Sequence, residues 1–202
     1  MGRSPAVRAG AVRDTLDFLD VFEPGARQKV LSRVPTESRA VIEEMPRSSW
    51  VSVEHDHHTI DAMIELFGVE RAVECWERSM VHLTEKPLLR GFVSGMRRLF
   101  GSDQGRLLTW FPKGWPLAYR DVCTPSVARN PGGTPMIVFE DVADEIKLHP
   151  NYFHSWHGAC RGFAIIAGVA GDVHFGIAPD LTYAKAIFAG ATSKSPSASA
   201  SR

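Results

Sequence analysis

The chain has 202 residues, of which 44% are hydrophobic, and its 23 Lys and Arg balance 23 Asp and Glu. This composition is typical of a soluble domain and offers no excess positive charge for a phosphate backbone, so we expect no nucleic-acid partner. No apolar run reaches the length of a membrane span and no apolar leader follows the N-terminus, so we expect a cytoplasmic protein without membrane insertion. The widely spaced Cys75, Cys123 and Cys160 favour buried thiols over disulfides.

The first two thirds of the chain are predicted to be helical, because apolar residues recur at spacings of three and four. Proline and glycine separate the segments. The predicted helices cover residues 12–22, 26–34, 37–45, 53–67, 70–83 and 86–100. Residues 1–11 and the Ser- and Ala-rich tail at 191–202 are predicted to be disordered, which leaves a single domain at 12–190.

After residue 120 the pattern changes to alternation and to apolar runs rich in β-branched residues. These features predict strands at 122–128 and 134–140, a helix at 152–167, and a second hairpin from strands at 172–177 and 181–188. The order indicates an α+β fold. We expect an N-terminal helical layer packed on a small antiparallel sheet, with one helix inserted between two hairpins.

A cluster of histidines and carboxylates at residues 54–58 (EHDHH) has the residue types of a metal site. His57 and Asp61 lie four apart on a predicted helix, so the pair could hold zinc or iron. The HExxH signature is absent. The pattern therefore favours another interpretation, in which His57 is half-buried and hydrogen-bonded to backbone while Asp56 and the two flanking histidines face water.

Three polar residues share one stripe of the predicted helix at 152–167, namely His154, His157 and Arg161. Such a stripe could bind a carboxylate or phosphate, although most polar stripes are simply solvated. Cys160 lies three residues from His157, but it belongs to the apolar stripe, where thiols are usually inert. Since the motifs for nucleophilic and phosphate-binding sites are also absent, we predict no catalytic residues.

Several short motifs occur in a characteristic order along the chain. They are Ser48-Ser49-Trp50, the pair Trp115 and Tyr119, Gly132-Gly133, Phe139-Glu140-Asp141-Val142, and Gly171-Asp172-Val173-His174-Phe175. With these motifs the chain resembles, over about residues 12–190, a paralogous family of unknown function that is expanded in myxobacteria. It is also distantly similar to haem-nitric-oxide-binding and 4-vinyl-reductase-like sensor domains.

This resemblance implies a small hydrophobic or tetrapyrrole-like ligand bound between helices and sheet. The haem-binding relatives hold the haem propionates with a Tyr-x-Ser-x-Arg motif. Residues 183–187 (YAKAI) have the tyrosine but neither the serine nor the arginine. The resemblance therefore implies a sheltered pocket and leaves the cofactor unidentified.

We therefore predict a non-catalytic ligand-binding or sensory module for a small, largely apolar molecule. The aromatic residues Trp115 and Tyr119 would line its pocket. His154, His157 and Arg161 would anchor an anionic group of the ligand.

Two alternatives stay open. One is a metal-binding protein or metal-dependent enzyme that uses the cluster at residues 55–58 together with Asp61. The other is a protein-interaction scaffold, a homodimer formed through Gly91 and Gly95 on the predicted helix at 86–100. A cavity between the last helix and the sheet would favour the ligand-binding module over both.

Overall fold

A computed structural model describes residues 4–86, 91, 95, 107–169 and 171–190. The N-terminal part is a layer of amphipathic helices whose apolar stripes meet in a common core. These helices are α1 (Ala9–Phe22), α2 (Ala26–Leu31), α3 (Thr36–Glu44), α4 (Val53–Phe67) and α5 (Val69–Leu83). The Ser52 side chain caps α4 by accepting a hydrogen bond from the backbone N–H of Glu54. Gly68 ends α4 with a φ of 77°, a conformation that favours glycine.

A small antiparallel sheet accompanies the helical layer. Its central strand β1 (Ala6–Arg8) lies between β2 (Trp50–Ser52) and β3 (Tyr119–Arg120). The sequence predicted disorder over residues 1–11, whereas Ala6–Arg8 form this strand and α1 follows directly. Strands of two or three residues show no readable alternation, and their partners are distant in the sequence, so the pattern did not indicate them.

The C-terminal part is a four-stranded antiparallel sheet with the order β4-β5-β7-β6. Its strands are β4 (Thr124–Arg129), β5 (Pro135–Glu140), β6 (Val173–Ile177) and β7 (Ala184–Phe188). Before β3 come the short helix α6 (Phe111–Gly114) and the 3-10 turn Trp115–Leu117, and α7 (Asp144–Lys147) and α8 (Tyr152–Ala167) follow β5. One long helix thus lies between two hairpins, and the predicted α+β class is confirmed.

Several predicted bounds agree with the structure and others move by a few residues. The helices predicted at 53–67 and 152–167 have those bounds, whereas the one predicted at 26–34 ends at Leu31. Within the predicted helix at 86–100, Gly91 and Gly95 are helical and Lys86 is not. Its other residues and the tail at 191–202 lie outside the described residues. Within the described ranges, no helix combines the length and apolar character needed to cross a bilayer.

Helix α8 joins the helical layer to the sheet, because it packs on α5 and also on β6 and β7. Gly158 and Gly162 allow the close approach to α5. A Cβ added at Gly158 would lie 2.6 Å from the Cβ of Trp76, and one at Gly162 would lie 2.5 Å from the carbonyl oxygen of Glu77. At Gly95, where the sequence suggested a glycine-dependent contact, an added Cβ would meet no described atom within 4 Å.

Candidate functional site

Aromatic rings pack against one another between α8 and the four-stranded sheet. Trp156 of α8 stacks on Phe139 of β5 with ring centroids 5.0 Å apart, and it meets Trp115 edge-on at 5.6 Å. Trp115 in turn stacks on Tyr119 at 4.3 Å. Offset and edge-on rings at these separations are in favourable contact. These side chains therefore fill the part of the layer in which they lie.

The two predicted pocket residues, Trp115 and Tyr119, belong to this aromatic cluster. Trp115 is 7% exposed, and Tyr119 is half-buried beneath it. Burial and the nearby carboxyl group of Asp56 raise the pKa of Tyr119 well above its usual value of 10. The Tyr119 hydroxyl therefore stays protonated at neutral pH and can donate a hydrogen bond.

Haem does not fit this aromatic cluster. A flat macrocycle between helix and sheet needs an open slot beside an axial ligand such as histidine, tyrosine or cysteine. In the described part of this layer, the rings of Trp115, Phe139 and Trp156 contact one another and leave no such slot between them.

The residues predicted to anchor an anionic group contact different neighbours. The ring of His157 stacks on Phe175 of β6, with centroids 5.2 Å apart, and hydrogen-bonds the backbone of Val173. Arg161 faces α5 instead, where its Nε lies 2.6 Å from Oε2 of Glu77. Burial lowers the pKa of both His154 and His157, so both rings are mainly neutral at pH 7.

A cleft of about 160 Å³ opens at the C-terminal end of α8, beside the start of β6. Three charged side chains border it, those of Arg161, Glu77 and Asp172, and its exposed wall is more polar than apolar. The lining residues are Glu77, Arg161, Ala164, Ile165, Val169, Gly171, Asp172 and Val173. Pockets for drug-sized ligands enclose roughly 300–1,000 Å³. This cleft therefore suits only a short-chain molecule.

A second polar site lies at the N-terminal end of α8. His57 and Asp61 on α4 meet His149, which precedes α8, and ligand-capable atoms of the three lie within 4.8 Å of one another. The rings of His57 and His149 stack with centroids 3.5 Å apart and an interplanar angle of 17°. Sequence spacing indicated the pair on α4 but carried no signal for His149, because that residue comes from a distant segment.

His57 is 7% exposed, and its Nδ1 has no hydrogen-bond partner among the described residues. The pKa of His57 is lowered from 6.5 to about 4, chiefly by burial and in part by the neighbouring rings of His149 and His58. Asp61 and Glu54 act in the opposite direction. His57 is therefore neutral at physiological pH. The sequence predicted a backbone partner for a half-buried His57, whereas its ring is buried with a nitrogen unpaired.

The carboxyl groups of this region have different environments. Asn151 Nδ2 donates to Oδ1 of the half-buried Asp61 at 2.8 Å. Asp56 is only 8% exposed, and the hydroxyl of Tyr152 donates to its Oδ2. Burial raises the pKa of Asp56 from 3.8 to about 6, although the bond from Tyr152 partly opposes this. The prediction that Asp56 faces water is wrong, because the first turn of α8 covers it.

His55 and His58 are held by α3. Their Nδ1 atoms lie 2.9 and 2.8 Å from the hydroxyl oxygen of Ser38. One hydroxyl has one proton, so it can donate to one imidazole and must accept from the other. Of the predicted metal-binding cluster, the structure therefore brings His57 and Asp61 together with His149, while His55 and His58 bind Ser38.

The cysteines do not provide a reactive nucleophile. Cys75 and Cys160 are buried and Cys123 is half-buried. Burial raises the pKa of the Cys75 thiol to about 12 and also raises the pKa values of the Cys123 and Cys160 thiols. Thiols protonated at neutral pH are poor nucleophiles, in agreement with the inert role predicted for Cys160.

Comparison with known proteins shows a likeness in fold. No protein-family model matches the chain, and no curated protein matches it. A mutant of the Fe(II) unliganded H-NOX protein from K. algicida is similar, with a TM-score of 0.59 and 12% identity, covering 89% of this chain and 94% of that chain. A Cs H-NOX mutant that carries 4-cyano-L-phenylalanine has a TM-score of 0.52 and 14% identity, with the same coverage.

At such identities the likeness establishes the fold alone. The chain therefore has an H-NOX-like α+β fold, which agrees with the distant similarity that its motifs indicated. Membership of the myxobacterial paralogous family stays a prediction.

Proposed function

We propose that this chain is a non-catalytic sensory domain that binds a small, largely apolar molecule with an anionic end. The cleft beside Arg161 is the observation that carries the proposal, because it lies between the last helix and the sheet and combines an arginine with several apolar side chains. The H-NOX-like fold supports a ligand-binding role. In this proposal the ligand is a short-chain carboxylate and not haem.

The partly exposed guanidinium of Arg161 supports an anion site. The Arg161 side chain is 41% exposed, whereas that of Glu77 is 15% exposed, so displacing Glu77 would leave a largely buried carboxylate without its partner. In this proposal a ligand carboxylate therefore binds the outer nitrogens of Arg161 while Nε stays paired with Glu77. Its short chain would then contact Ala164 and Val173.

The other predicted residues have supporting roles in this proposal. His157 borders the cleft through its bond to the backbone of Val173. Trp115 contacts Trp156 in the middle of α8, and Tyr119 stacks on Trp115. A movement of α8 would therefore change the surroundings of these rings and their fluorescence. A ligand bound to Arg161 would act on its ion pair with Glu77 between α8 and α5, which is how binding would alter the domain.

Thermal unfolding and tryptophan fluorescence with butyrate and hexanoate test the proposal. We expect both carboxylates to raise the Tm of the full chain in a saturable way, because a ligand that binds only the folded state stabilises it. Arg161→Met should abolish the rise. Arg33→Met is a matched control, because Arg33 is also an exposed arginine paired with a glutamate, Glu65, at 3.6 Å. If neither carboxylate changes Tm or fluorescence, or if both variants respond alike, the proposal is wrong.

A further inference from the structure

We infer that His57, Asp61 and His149 form a binding site for one divalent transition-metal ion. This site is separate from the cleft beside Arg161 and does not depend on the proposed sensory function. It lies where α4 meets the start of α8, and its donors come from two segments that are distant in the sequence.

The donor set has the chemistry of such an ion. Two imidazoles and one carboxylate suit zinc, cobalt, nickel or Fe(II), whereas Mg²⁺ and Ca²⁺ prefer oxygen donors alone. Ligand bonds of about 2.0–2.2 Å place neighbouring donors roughly 3.3 Å apart in a tetrahedral site. The donors of His57, Asp61 and His149 already lie within 4.8 Å of one another. Coordination therefore needs these donors to move closer together.

An independent observation points to a ligand at this place. His57 is 7% exposed, and its Nδ1 has no partner in the described part of the chain. A buried polar atom without a hydrogen bond destabilises the folded state, because it has lost its bonds to water and gained none in return. Coordination would satisfy this nitrogen.

Neighbouring side chains orient the donors. Asn151 donates to Oδ1 of Asp61, which fixes the carboxylate and leaves Oδ2 for the ion. His149 precedes α8 and is half-buried, and on coordination its ring would turn out of the stack, because the lone pair of an imidazole nitrogen lies in the ring plane. Ser38 holds His55 and His58 through their Nδ1 atoms. Three protein donors then leave a coordination position for water, as in zinc sites with an open position.

Calorimetric titration of the full chain with Zn²⁺ and with Co²⁺, after treatment with a chelator and its removal, tests the site. We expect one ion per chain and a higher Tm in its presence, because the ion links α4 to the start of α8. His149→Ala and Asp61→Asn should weaken binding by far more than tenfold, since loss of an outer partner alone typically costs about 10–100-fold. Both positions are half-buried and Asp61→Asn is isosteric, so we expect folded proteins, to be verified by circular dichroism.

Two histidine variants serve as matched controls. His55→Ala removes a ring from the same helix, and His174→Ala removes an exposed ring from β6. Both should bind as the wild type does, and so should Arg161→Met, which makes the failure of this site distinguishable from failure of the carboxylate cleft.

Three results would overturn the inference. They are the absence of saturable binding at one ion per chain, unchanged binding in His149→Ala or Asp61→Asn, and a loss in His55→Ala as large as the loss in those variants. If the site variants do not fold, the visible absorption of Co²⁺ in the wild type decides the question. If the Co²⁺ spectrum in the presence of the protein stays that of the six-coordinate aquo ion, coordination by imidazole is contradicted.

Discussion

Asp56 is a buried residue whose ionisation bears directly on stability. Its pKa is raised from 3.8 to about 6 because the folded chain buries it. The folded state therefore holds the Asp56 proton more tightly than the unfolded state does. This contribution to stability is complete below about pH 4 and is lost as the pH rises from about 4 to about 6, since the unfolded chain ionises first.

We expect Asp56→Asn to stabilise the protein at pH 7.5 in the presence of a chelator. The amide oxygen still accepts the bond from Tyr152, and no charge is buried. The gain is at most about 3 kcal/mol, at about 1.4 kcal/mol for each pKa unit. Urea unfolding at pH 4 and pH 7.5 measures it, with the exposed Glu145→Gln as the control. A variant less stable than the wild type at pH 7.5 would show that ionised Asp56 makes favourable interactions.

For single residues, the sequence predicted contacts between side chains on the same helix. It did not predict contacts with side chains from a distant segment of the chain. His57 and Asp61 were recognisable as a pair because they lie four apart on α4. His149 was not recognisable as their partner. The burial of Asp56 depends on Tyr152, which lies 96 residues further along the chain.

At the scale of elements, the contact between α5 and α8 rests on two glycines. We expect Gly162→Ala to destabilise the protein by about 2–3 kcal/mol, because overpacking a tight contact has roughly this cost. The added Cβ would lie 2.5 Å from the carbonyl oxygen of Glu77, a backbone atom that cannot rotate away. Urea unfolding provides the measurement.

Gly114→Ala is the control for this prediction. Gly114 has helical dihedral angles, and an added Cβ would meet no described atom within 4 Å. Alanine there should be neutral or stabilising by roughly 0.5–1 kcal/mol. Equal stability of the two variants would mean that α5 and α8 do not approach as closely as described.

Periodicity identified the long elements and missed the short ones. Helices α4 and α8 have strong apolar stripes over 15 and 16 residues, whereas β1, β2 and β3 have two or three residues each. Glycine pairs four apart occur at 91 and 95 and again at 158 and 162, and spacing alone does not tell which pair lies at a close contact.

For the whole molecule, the H-NOX-like fold persists at 12–14% identity, while in the described part of the chain the rings of Trp115, Phe139 and Trp156 pack against one another between helix and sheet. We therefore expect protein purified from cells supplied with a haem precursor to contain no stoichiometric haem. The Soret band and a haemochrome assay measure it, with a haem protein purified in parallel as the control. One haem per chain would contradict the description of the aromatic cluster as closed.

Helix α8 has 16 residues, so it is a rod about 24 Å long. The histidine–carboxylate site touches one end of this rod, and the cleft beside Arg161 touches the other. If an ion and a carboxylate both bind, and each favours one placement of the rod, thermodynamic reciprocity requires that each changes the affinity of the other by the same factor. Measuring the affinity of either ligand in the presence of the other would then show whether the two sites are coupled through α8 or independent.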